Sequence, residues 1–293
     1  MSKQSKKMLS ADVIAQNQEM FRCPICDGQM RMVNSQSLIC INQHCFDVSK
    51  QGYVNLLSRA IKTKYDKRMF ESRRAICRSG FFEPLHAIIS DKIINQLRTK
   101  ERFKVLDAGC GEGSQLTNIQ EKIIQNTTNT PLAVGIDISK EGINNAAAEY
   151  SNAIWCIADI ANCPFASHQF NFILNILSPA NYSEFQRMIA ADGRVIKVVP
   201  ERDYLKEFRD VFYEGSQNQV YSNDNTLDHF KENFEITDVE RIRYQVALDD
   251  TLIKPLLRMT PLSWGTTEER LQKVRQMNLQ QITMDFTILF GKK

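Results

Sequence analysis

The sequence predicts an α/β protein in which a doubly wound, largely parallel sheet follows a small N-terminal metal-binding module. Three observations carry this prediction. Strand-like and helix-like segments alternate between residues 81 and 199, a glycine-rich turn follows the first of these strands, and four cysteines cluster between residues 23 and 45.

The elements of the predicted sheet follow from the spacing of apolar residues. Residues 81–98 repeat apolar side chains at intervals of three and four, which is typical of an amphipathic helix. Short apolar runs that alternate with such helices predict parallel strands joined by crossovers. The predicted strands are 103–107, 132–137, 154–158, 170–176, 193–199, 233–248 and 282–290, the helices are 81–98, 114–125, 140–150 and 182–190, and the loops include 127–131 and 216–218.

Gly109, Gly111 and Gly113 form a G-x-G-x-G turn directly after the first predicted strand. Because glycine has no Cβ, its backbone can turn sharply and approach a ligand closely. A dinucleotide-binding turn has the spacing G-x-G-x-x-G, and here the charge of Glu112 would repel a pyrophosphate. S-adenosylmethionine (SAM), a nucleoside with a sulfonium group, has no such conflict and is the predicted cofactor.

Acidic residues end three successive predicted strands. Asp107 begins the glycine turn, Asp137 ends the second strand where a ribose diol would lie, and Asp159 follows the third. Open α/β sheets bind their ligands at the carboxyl ends of the strands. The cofactor-binding residues predicted from these patterns are Asp107, Gly109, Gly111, Glu112, Gly113, Asp137 and Asp159.

The eight cysteines predict a metal site rather than a disulfide framework, because the chain shows no export signal. Cys23 and Cys26 form a closely spaced pair, and Cys40, His44 and Cys45 follow after thirteen intervening residues. This spacing is typical of a structural zinc site with four ligands. The fourth ligand is either His44 or Cys45, and spacing alone slightly favours Cys45.

Composition and charge narrow the class of protein. The chain has 293 residues, 43% hydrophobic and 24% charged, with a net charge of only +3, which is ordinary for a globular protein. No run approaches the ~18 apolar residues of a membrane span, and the basic start lacks an apolar signal segment. We therefore expect a cytoplasmic protein without a membrane partner. Residues 59–78 are locally positive, with eight basic residues against Asp66 and Glu71.

Seven motifs run through nearly the whole chain. They are Cys23-Pro24-x-Cys26, Cys40-x3-His44-x-Phe46-Asp47, Gly52-Tyr53-Val54-Asn55-Leu56-Leu57, Arg73-Arg74-Ala75, Leu106-Asp107-x-Gly109-Cys110-Gly111-Glu112-Gly113, Asp137-x-Ser139-Lys140 and Met259-Thr260-Pro261-x-x-Trp264. With these motifs in this order, the chain resembles the bacterial 23S rRNA (guanine-N1-)-methyltransferases of the RlmA type. The combination is far more specific than any single motif.

The resemblance implies a Rossmann-like, SAM-dependent methyltransferase sheet with a small N-terminal zinc-binding domain. It also implies one structural zinc ion held by three cysteines and a histidine, so that Cys45 becomes the runner-up. The implied zinc ligands are Cys23, Cys26, Cys40 and His44. The implied organisation is a polar tail (1–20), a zinc-binding module (21–57), a basic connector (58–80) and a methyltransferase domain (81–293).

The resemblance extends to contacts with the methyl donor. Members of the family contact the donor through the Gly111-Glu112 turn, which matches here, and through a tyrosine and a histidine. Phe82 and Tyr204 stand at those two positions. Phe82 keeps the ring but lacks the hydroxyl group, and Tyr204 keeps a planar polar group of different reach.

The implied reaction is methylation of guanine N1 in 23S rRNA. The target guanine is expected in a hairpin loop, because N1 lies on the Watson–Crick edge and is hidden in a helix. Asn175 and Ser178, at the end of the fourth strand, are candidates to hold the base edge, and spacing singles out no general base. Phe165 and Trp264 could stack on a base, although the apolar core is the expected place for both. The zinc module and connector are expected to bind RNA, and a homodimer is compatible with the resemblance. The predicted RNA-binding residues are Lys62, Lys64, Lys67, Arg68, Arg73 and Arg74.

Two other functions fit parts of the sequence. A small-molecule methyltransferase with a merely structural zinc ribbon would turn over SAM without RNA. A non-catalytic zinc RNA-binding protein would keep the cofactor pocket only as a relic and would bind no donor. The complete set of glycines and aspartates in the predicted pocket argues against the relic.

Overall fold

The computed structural model of the chain describes residues 5–59, 61, 65–97, 102–215, 222–277 and 279–293. Its strands are β1 (Met30–Val33), β2 (Ser37–Cys40), β3 (Cys45–Asp47), β4 (Val54–Asn55), β5 (Arg102–Ala108), β6 (Thr130–Asp137), β7 (Ala153–Ile157), β8 (Phe170–Ile176), β9 (Ile189–Pro200), β10 (Glu235–Ala247) and β11 (Gln281–Lys292). Its helices are α1 (Lys6–Gln16), α2 (Lys67–Arg78), α3 (Glu83–Ile94), α4 (Ser114–Asn126), α5 (Lys140–Glu149), α6 (Tyr182–Met188), α7 (Lys206–Phe212), α8 (Asp224–Asn233), α9 (Asp250–Met259) and α10 (Glu268–Gln276).

Eight strands form the main sheet in the order β10-β11-β9-β8-β5-β6-β7-β4. The strands from β4 to β9 pair in parallel, whereas β11 and β10 close the sheet in antiparallel pairing. The chain runs outward from β5 through β6 to β7 and then returns to β8 on the other side of β5. This reversal between β5 and β8 is the topological switch point, where such sheets bind ligands. The predicted doubly wound α/β fold is confirmed.

Both faces of the main sheet are covered. Along β5, Phe103 and Val105 contribute to one buried apolar cluster, while Leu106 and Ala108 contribute to the other. The alternation follows from the period of two in a strand, and burial of both faces explains the nearly continuous apolar runs of the central strands. Helices α3 and α4 pack on each other and cover the first of these faces.

The N-terminal segment folds as a small antiparallel sheet in the order β1-β2-β3. It is attached to the main sheet, since β4 pairs in parallel with the edge strand β7 at Val54 and Asn55. The region predicted as a polar tail (1–20) contains α1, in which Ala11 and Ile14 are completely buried. Ser5 caps this helix by accepting a hydrogen bond from the backbone N–H of Met8.

The predicted elements between residues 81 and 199 are present with small differences at their ends. Pro84 lies in the first turn of α3, where a missing backbone N–H costs nothing, and the helix begins after Phe82. The predicted loop 127–131 is shorter, because β6 already begins at Thr130. The predicted loop 216–218 lies outside the described residues. None of the described helices is long and apolar enough to cross a membrane.

Candidate active site and zinc centre

A cavity of about 890 Å³ lies at the carboxyl ends of the central strands. Its wall includes Gly109 after β5, Asp137 at the end of β6, Asp159 after β7, Ser178 after β8 and Lys197 on β9. Helix α2 and residues 259–262 form another side of it. The sheet topology therefore brings together strand-end residues that are up to 88 positions apart in sequence, from Gly109 to Lys197.

The glycine turn depends on its glycines in two different ways. Gly109, Gly111 and Gly113 all have positive φ angles, of 91°, 59° and 86°. A Cβ on Gly109 would lie 2.3 Å from Ser178 Oγ, and one on Gly113 would lie 2.6 Å from the buried ring of Trp155. Gly109 thus lets the turn approach the end of β8, whereas Gly113 serves packing beneath the turn.

The glycine turn is also hydrogen-bonded to β6. The backbone N–H groups of Gly109 and Cys110 donate to the Ile136 carbonyl oxygen at 2.9 and 3.0 Å. The N–H of Gly111 donates to Asp137 Oδ2 at 2.8 Å, and Asp137 Oδ1 accepts from Ser139 N–H at 2.7 Å. Asp137 therefore fixes the turn and at the same time lines the cavity.

Asp107 is a buried carboxylate without a hydrogen-bond partner among the described residues, and its side chain is 1% exposed. The pKa of Asp107 is raised to about 7, mainly by burial and also by the negative charges of Asp137 and Glu112, while the positive charge of Arg73 opposes the shift. Glu112 is also buried, and burial raises its pKa. Its Oε2 accepts from Ser114 Oγ at 2.5 Å, while Oε1 lies 3.8 Å from Arg73 Nε.

These acids fit a ligand that carries positive charge. Three carboxyl groups share a low-dielectric site with one guanidinium, so the free protein holds an excess of acidic groups there. SAM has a sulfonium and an ammonium group, and either would offset that excess. The orphaned oxygens of Asp107 agree with such a ligand.

The predicted donor-binding residues divide into two groups. Phe82, Gly109, Asp137, Asp159 and Tyr204 line the cavity, whereas the remaining predicted residues are not in its wall. The predicted residues outside the wall form the glycine turn and the strand end beside it. They are Asp107, Gly111, Glu112 and Gly113. Which of these groups contact the donor stays a prediction.

Phe82 and Tyr204 are brought to one side of the cavity by their packing on β11. Both lie against the ring of Phe286, with centroid distances of 6.2 and 5.1 Å. Burial raises the pKa of Tyr204 to about 12, so its hydroxyl group stays protonated at neutral pH. Of the two rings on this side of the cavity, Phe82 thus offers no hydroxyl group, whereas Tyr204 offers a protonated one.

Asn175 and Ser178, the candidates for holding the base edge, are largely engaged by the protein itself. Asn175 is completely buried, and its Nδ2 lies 2.8 Å from the carbonyl oxygens of both Ala108 and Pro179. Ser178 Oγ also donates to the Ala108 carbonyl at 2.8 Å. The two side chains tie the end of β8 to the end of β5, and of the two Ser178 lines the cavity.

Lys197 belongs to the same group, and the motifs did not single it out. Its Nζ donates to Asn175 Oδ1 at 2.5 Å and to the Ser178 carbonyl at 2.6 Å. The signal in the sequence was a lysine inside the apolar run of β9, where a charged residue is unusual unless it is paired.

The metal centre is formed by Cys23, Cys26, Cys40 and His44, whose ligand atoms all lie within 4.8 Å of one another. His44 Nδ1 is 3.4 Å from both Cys23 Sγ and Cys40 Sγ, and Cys26 Sγ is 3.7 Å from Cys40 Sγ. These separations suit the edges of a tetrahedron with Zn–S bonds of about 2.3 Å. Hydrogen bonds from the Gly28 backbone and the Asn42 side chain lower the pKa of Cys26 to about 6, which favours the thiolate.

Cys45 is not part of the metal centre. It is exposed, and its Sγ lies 3.8 Å from Asp47 Oδ1. The preference for Cys45 from spacing alone is wrong, because β3 begins at this residue and its side chain leaves the cluster. The histidine implied by the family resemblance takes the fourth position.

Comparison with known proteins identifies the family. A family model described as "RlmA, N-terminal" matches residues 21–63, and one described as "Methyltransferase domain" matches residues 99–244. The chain is 41% identical over 276 residues to YxjB of Bacillus subtilis, which is provisionally named a 23S rRNA (guanine-N(1)-)-methyltransferase. The alignment covers 94% of this chain and 97% of YxjB. The chain belongs to the RlmA-type 23S rRNA (guanine-N1-)-methyltransferase family.

The comparisons also include a more distant named relative and a solved structure. A Streptomyces fradiae protein named 23S rRNA (guanine(748)-N(1))-methyltransferase is 27% identical, over 91% of this chain and 94% of that protein. Among solved structures, the YcgJ protein of Bacillus subtilis superposes with a TM-score of 0.49 and 15% identity, over 70% of this chain and 97% of YcgJ.

The RNA-binding residues predicted for this RlmA-type protein take different directions in the structure. Lys67 and Arg68 are exposed at the start of α2. Arg73 lines the cavity and faces Glu112, and Arg74 pairs with Glu149 at 3.3 Å. Arg73 and Arg74 turn toward the glycine turn and α5 because one face of α2 packs on that side of the molecule. Lys62 and Lys64 lie outside the described residues.

Trp264 departs from the expectation that it belongs to the core, whereas Phe165 is completely buried as expected. Trp264 is 43% exposed and Tyr65 is 39% exposed, and their ring centroids are 5.6 Å apart. Tyr65 lines the cavity, so the pair lies at its edge. Trp264 follows the short helical turn at 261–263 that closes this side of the cavity, and that turn directs the ring outward.

The zinc ligands can be tested by metal content. His44→Ala and Cys40→Ser should lose the bound zinc and destabilise the N-terminal module, because a structural site needs all four ligands. Cys45→Ser is the matched control and should retain about one zinc ion per chain. Elemental analysis of the purified variants measures this. Loss of zinc in Cys45→Ser with retention in His44→Ala would reverse the assignment.

The buried charge of Asp107 can be tested by thermal unfolding across pH. Because the pKa of this carboxyl is higher in the folded protein than in the unfolded chain, ionisation opposes folding. The cost grows from about pH 4 and is complete above the folded pKa of about 7. Asp107→Asn should therefore be more stable than the wild type at pH 8, by up to about 4 kcal/mol, and similar to it near pH 4. An equal effect at both pH values would contradict a buried ionisable group.

Proposed function

We propose that this protein transfers the methyl group of SAM to N1 of a guanine in 23S rRNA, and that its zinc ion is structural. The observation that carries the proposal is the cavity at the switch point, which joins the acidic glycine turn to an exposed aromatic and basic edge. Family membership gives the reaction, and the relatives named as 23S rRNA guanine-N1 methyltransferases support the substrate.

The residues of the cavity suit SAM as the donor. Asp137 would accept from the ribose hydroxyl groups, and Asp107 and Glu112 would offset the positive charge of the donor. Phe82 and Tyr204 would provide apolar surface. When bound, SAM supplies an electrophilic methyl group, so that an N1–carbon bond forms as its carbon–sulfur bond breaks and the N1 proton passes to water.

The chain must accept a base that is not paired, because N1 lies on the Watson–Crick edge. Exposed aromatic and basic side chains beside the cavity support this requirement. We call them the entrance surface and define it as Tyr65, Lys67, Arg68 and Trp264. Tyr65 and Trp264 expose aromatic rings, and stacking on an aromatic side chain contributes about 1–3 kcal/mol per base. Lys67 and Arg68 are exposed next to Tyr65 and can contact phosphates.

The zinc module supports the entrance surface only indirectly in this proposal. It is joined to the main sheet by β4 and by a backbone hydrogen bond from Arg22 N–H to the Pro164 carbonyl at 2.9 Å. Its own contact with RNA remains a prediction, as do a homodimer, a cytoplasmic location and the choice of hairpin.

The reaction is tested by incubating the protein with labelled SAM and unmodified 23S rRNA, and then mapping stops in primer extension. N1-methylguanine blocks base pairing, so a stop at one guanine of a hairpin loop is the expected result. Methylated RNA without a stop would place the methyl group on another atom. Label transferred to small molecules but not to RNA would instead favour a small-molecule methyltransferase.

The entrance surface is tested by RNA binding. Trp264→Ala should weaken binding of the hairpin by about tenfold or more, from the loss of one stacking partner, whereas Trp264→Phe should retain most of the affinity. The double variant Lys67→Gln/Arg68→Gln should reduce the dependence of binding on salt. Lys231→Gln is the control, because Lys231 is likewise an exposed helical lysine paired within its own helix.

Intrinsic fluorescence gives a second measurement of the same surface. The chain has two tryptophans, and Trp155 is 2% exposed, so quenching by RNA reports mainly on Trp264. Hairpin RNA should quench the wild type and leave Trp264→Phe nearly unchanged. Equal RNA affinity in Trp264→Ala and the wild type would remove the entrance surface from the proposal.

A further inference from the structure

Lys197 is a buried amine in the wall of the cavity. It lies in the apolar strand β9 between Ile196 and Val198, and it is 4% exposed. Within the described part of the chain it forms no ion pair, and its Nζ donates instead to the neutral oxygens of Asn175 and Ser178. Burying a charge without a carboxylate partner is costly. A well-packed apolar residue would stabilise the strand better, so the amine calls for a functional explanation.

The position of Lys197 connects it to the substrate side of the cavity. Its acceptors are Asn175, near the end of β8, and Ser178, in the turn after it. The Ser178 side chain contacts the end of β5 next to Gly109. Leu177, between the two acceptors, has a positive φ of 52°, which a leucine rarely adopts. An ammonium group has three N–H donors, and these two acceptors use two of them.

We propose that Lys197 is a catalytic residue that donates its third N–H to O6 of the target guanine and stabilises the guanine anion formed when the N1 proton leaves. This inference rests on the proposed function. Neutral guanine keeps a proton on N1, and the nitrogen becomes a good nucleophile only when that proton has passed to water. The electron pair left behind is shared between N1 and O6. It then forms the N1–carbon bond, while the carbon–sulfur pair of the donor goes to sulfur.

An ammonium group next to O6 favours this anion in a cavity of low dielectric constant. Lys197 keeps its own proton throughout, so it is not the acceptor of the N1 proton. In this arrangement Asn175 is a positioning residue, because its Oδ1 directs the ammonium group while its Nδ2 is bound to the backbone oxygens of β5 and the turn.

The other charged groups of the cavity differ from Lys197 in position or in sign. Arg73 and Arg209 are the other cations of its wall, and Asp137 and Asp159 are its carboxylates. On β11, the residue paired with Lys197 is Leu289, and on β8 it is Asn175. The tyrosines of the wall are Tyr65, Tyr204 and Tyr213. Burial lowers the pKa of Lys197 to about 8, so the ammonium form is present at neutral pH and is lost in mildly alkaline solution.

The test compares Lys197→Met and Lys197→Arg with the wild type in single-turnover methylation of the rRNA hairpin between pH 6 and 10. Lys197→Met should lower the methyl-transfer rate at pH 7 by about 10²-fold, as for loss of one donor to a developing anion. Its rate should rise with pH as the guanine ionises without help. Lys197→Arg should restore most of the rate and should lack the decline that the wild type shows above its lysine pKa.

Two measurements that need no turnover accompany the rates. Calorimetry measures the affinities for donor and RNA, and thermal unfolding measures the melting temperature. The proposal expects both affinities in Lys197→Met to stay within about twofold of the wild type. A rate reduced by the same factor at every pH, together with weaker donor binding or a lower melting temperature, would show that Lys197 only holds the turn after β8. That result would overturn the proposal, as would wild-type rates in Lys197→Met.

Failure of the inference about Lys197 can be distinguished from failure of the proposed function. If the wild type methylates no RNA, the proposed function and this inference fail together. If the wild type produces the expected primer-extension stop and Lys197→Met produces it equally fast, only the inference about Lys197 fails.

Discussion

The buried carboxyl group of Asp107 is the constraint on which the site depends. It ends the central strand β5 without a hydrogen-bond partner among the described residues, and the neighbouring acids Glu112 and Asp137 are held close by the glycine turn. One cation, Arg73, offsets part of this charge. Such an arrangement destabilises the free protein, and it is tolerated because a positively charged ligand can complete it. The glycines, the reversal between β5 and β8, and the packing of α2 all serve to keep these groups together.

A charge of the opposite sign lies in the cavity wall at the end of β8. There Lys197 brings a buried positive charge to the turn after β8, and no carboxylate of the described chain pairs with it. A cavity with acids on the donor side and a cation on the base side suits transfer from a cationic donor to a base that becomes anionic. The entrance surface then explains how a flexible RNA loop, rather than a small free base, could be held at the opening.

The sequence predicted the sheet well because its signals are local. Apolar periodicity located β5 to β9, and the glycine spacing located the turn between β5 and α4. The direction of a side chain was harder to predict from the sequence, because it depends on packing between distant segments. Trp264 was expected in the core but is exposed, and the sequence did not indicate that Arg73 lies beside Glu112. Spacing alone also could not choose between the adjacent His44 and Cys45, since the choice depends on where β3 begins.

The most direct measurement is calorimetric titration of the protein with SAM in two buffers of different ionisation enthalpy. Between pH 6 and 8, binding should release protons, because a cationic ligand beside Asp107 lowers a pKa that burial has raised to about 7. In Asp107→Asn, binding should be weaker and the release smaller. Binding without proton release, or no binding at all, would contradict the claim that the uncompensated acids of the glycine turn form the donor site.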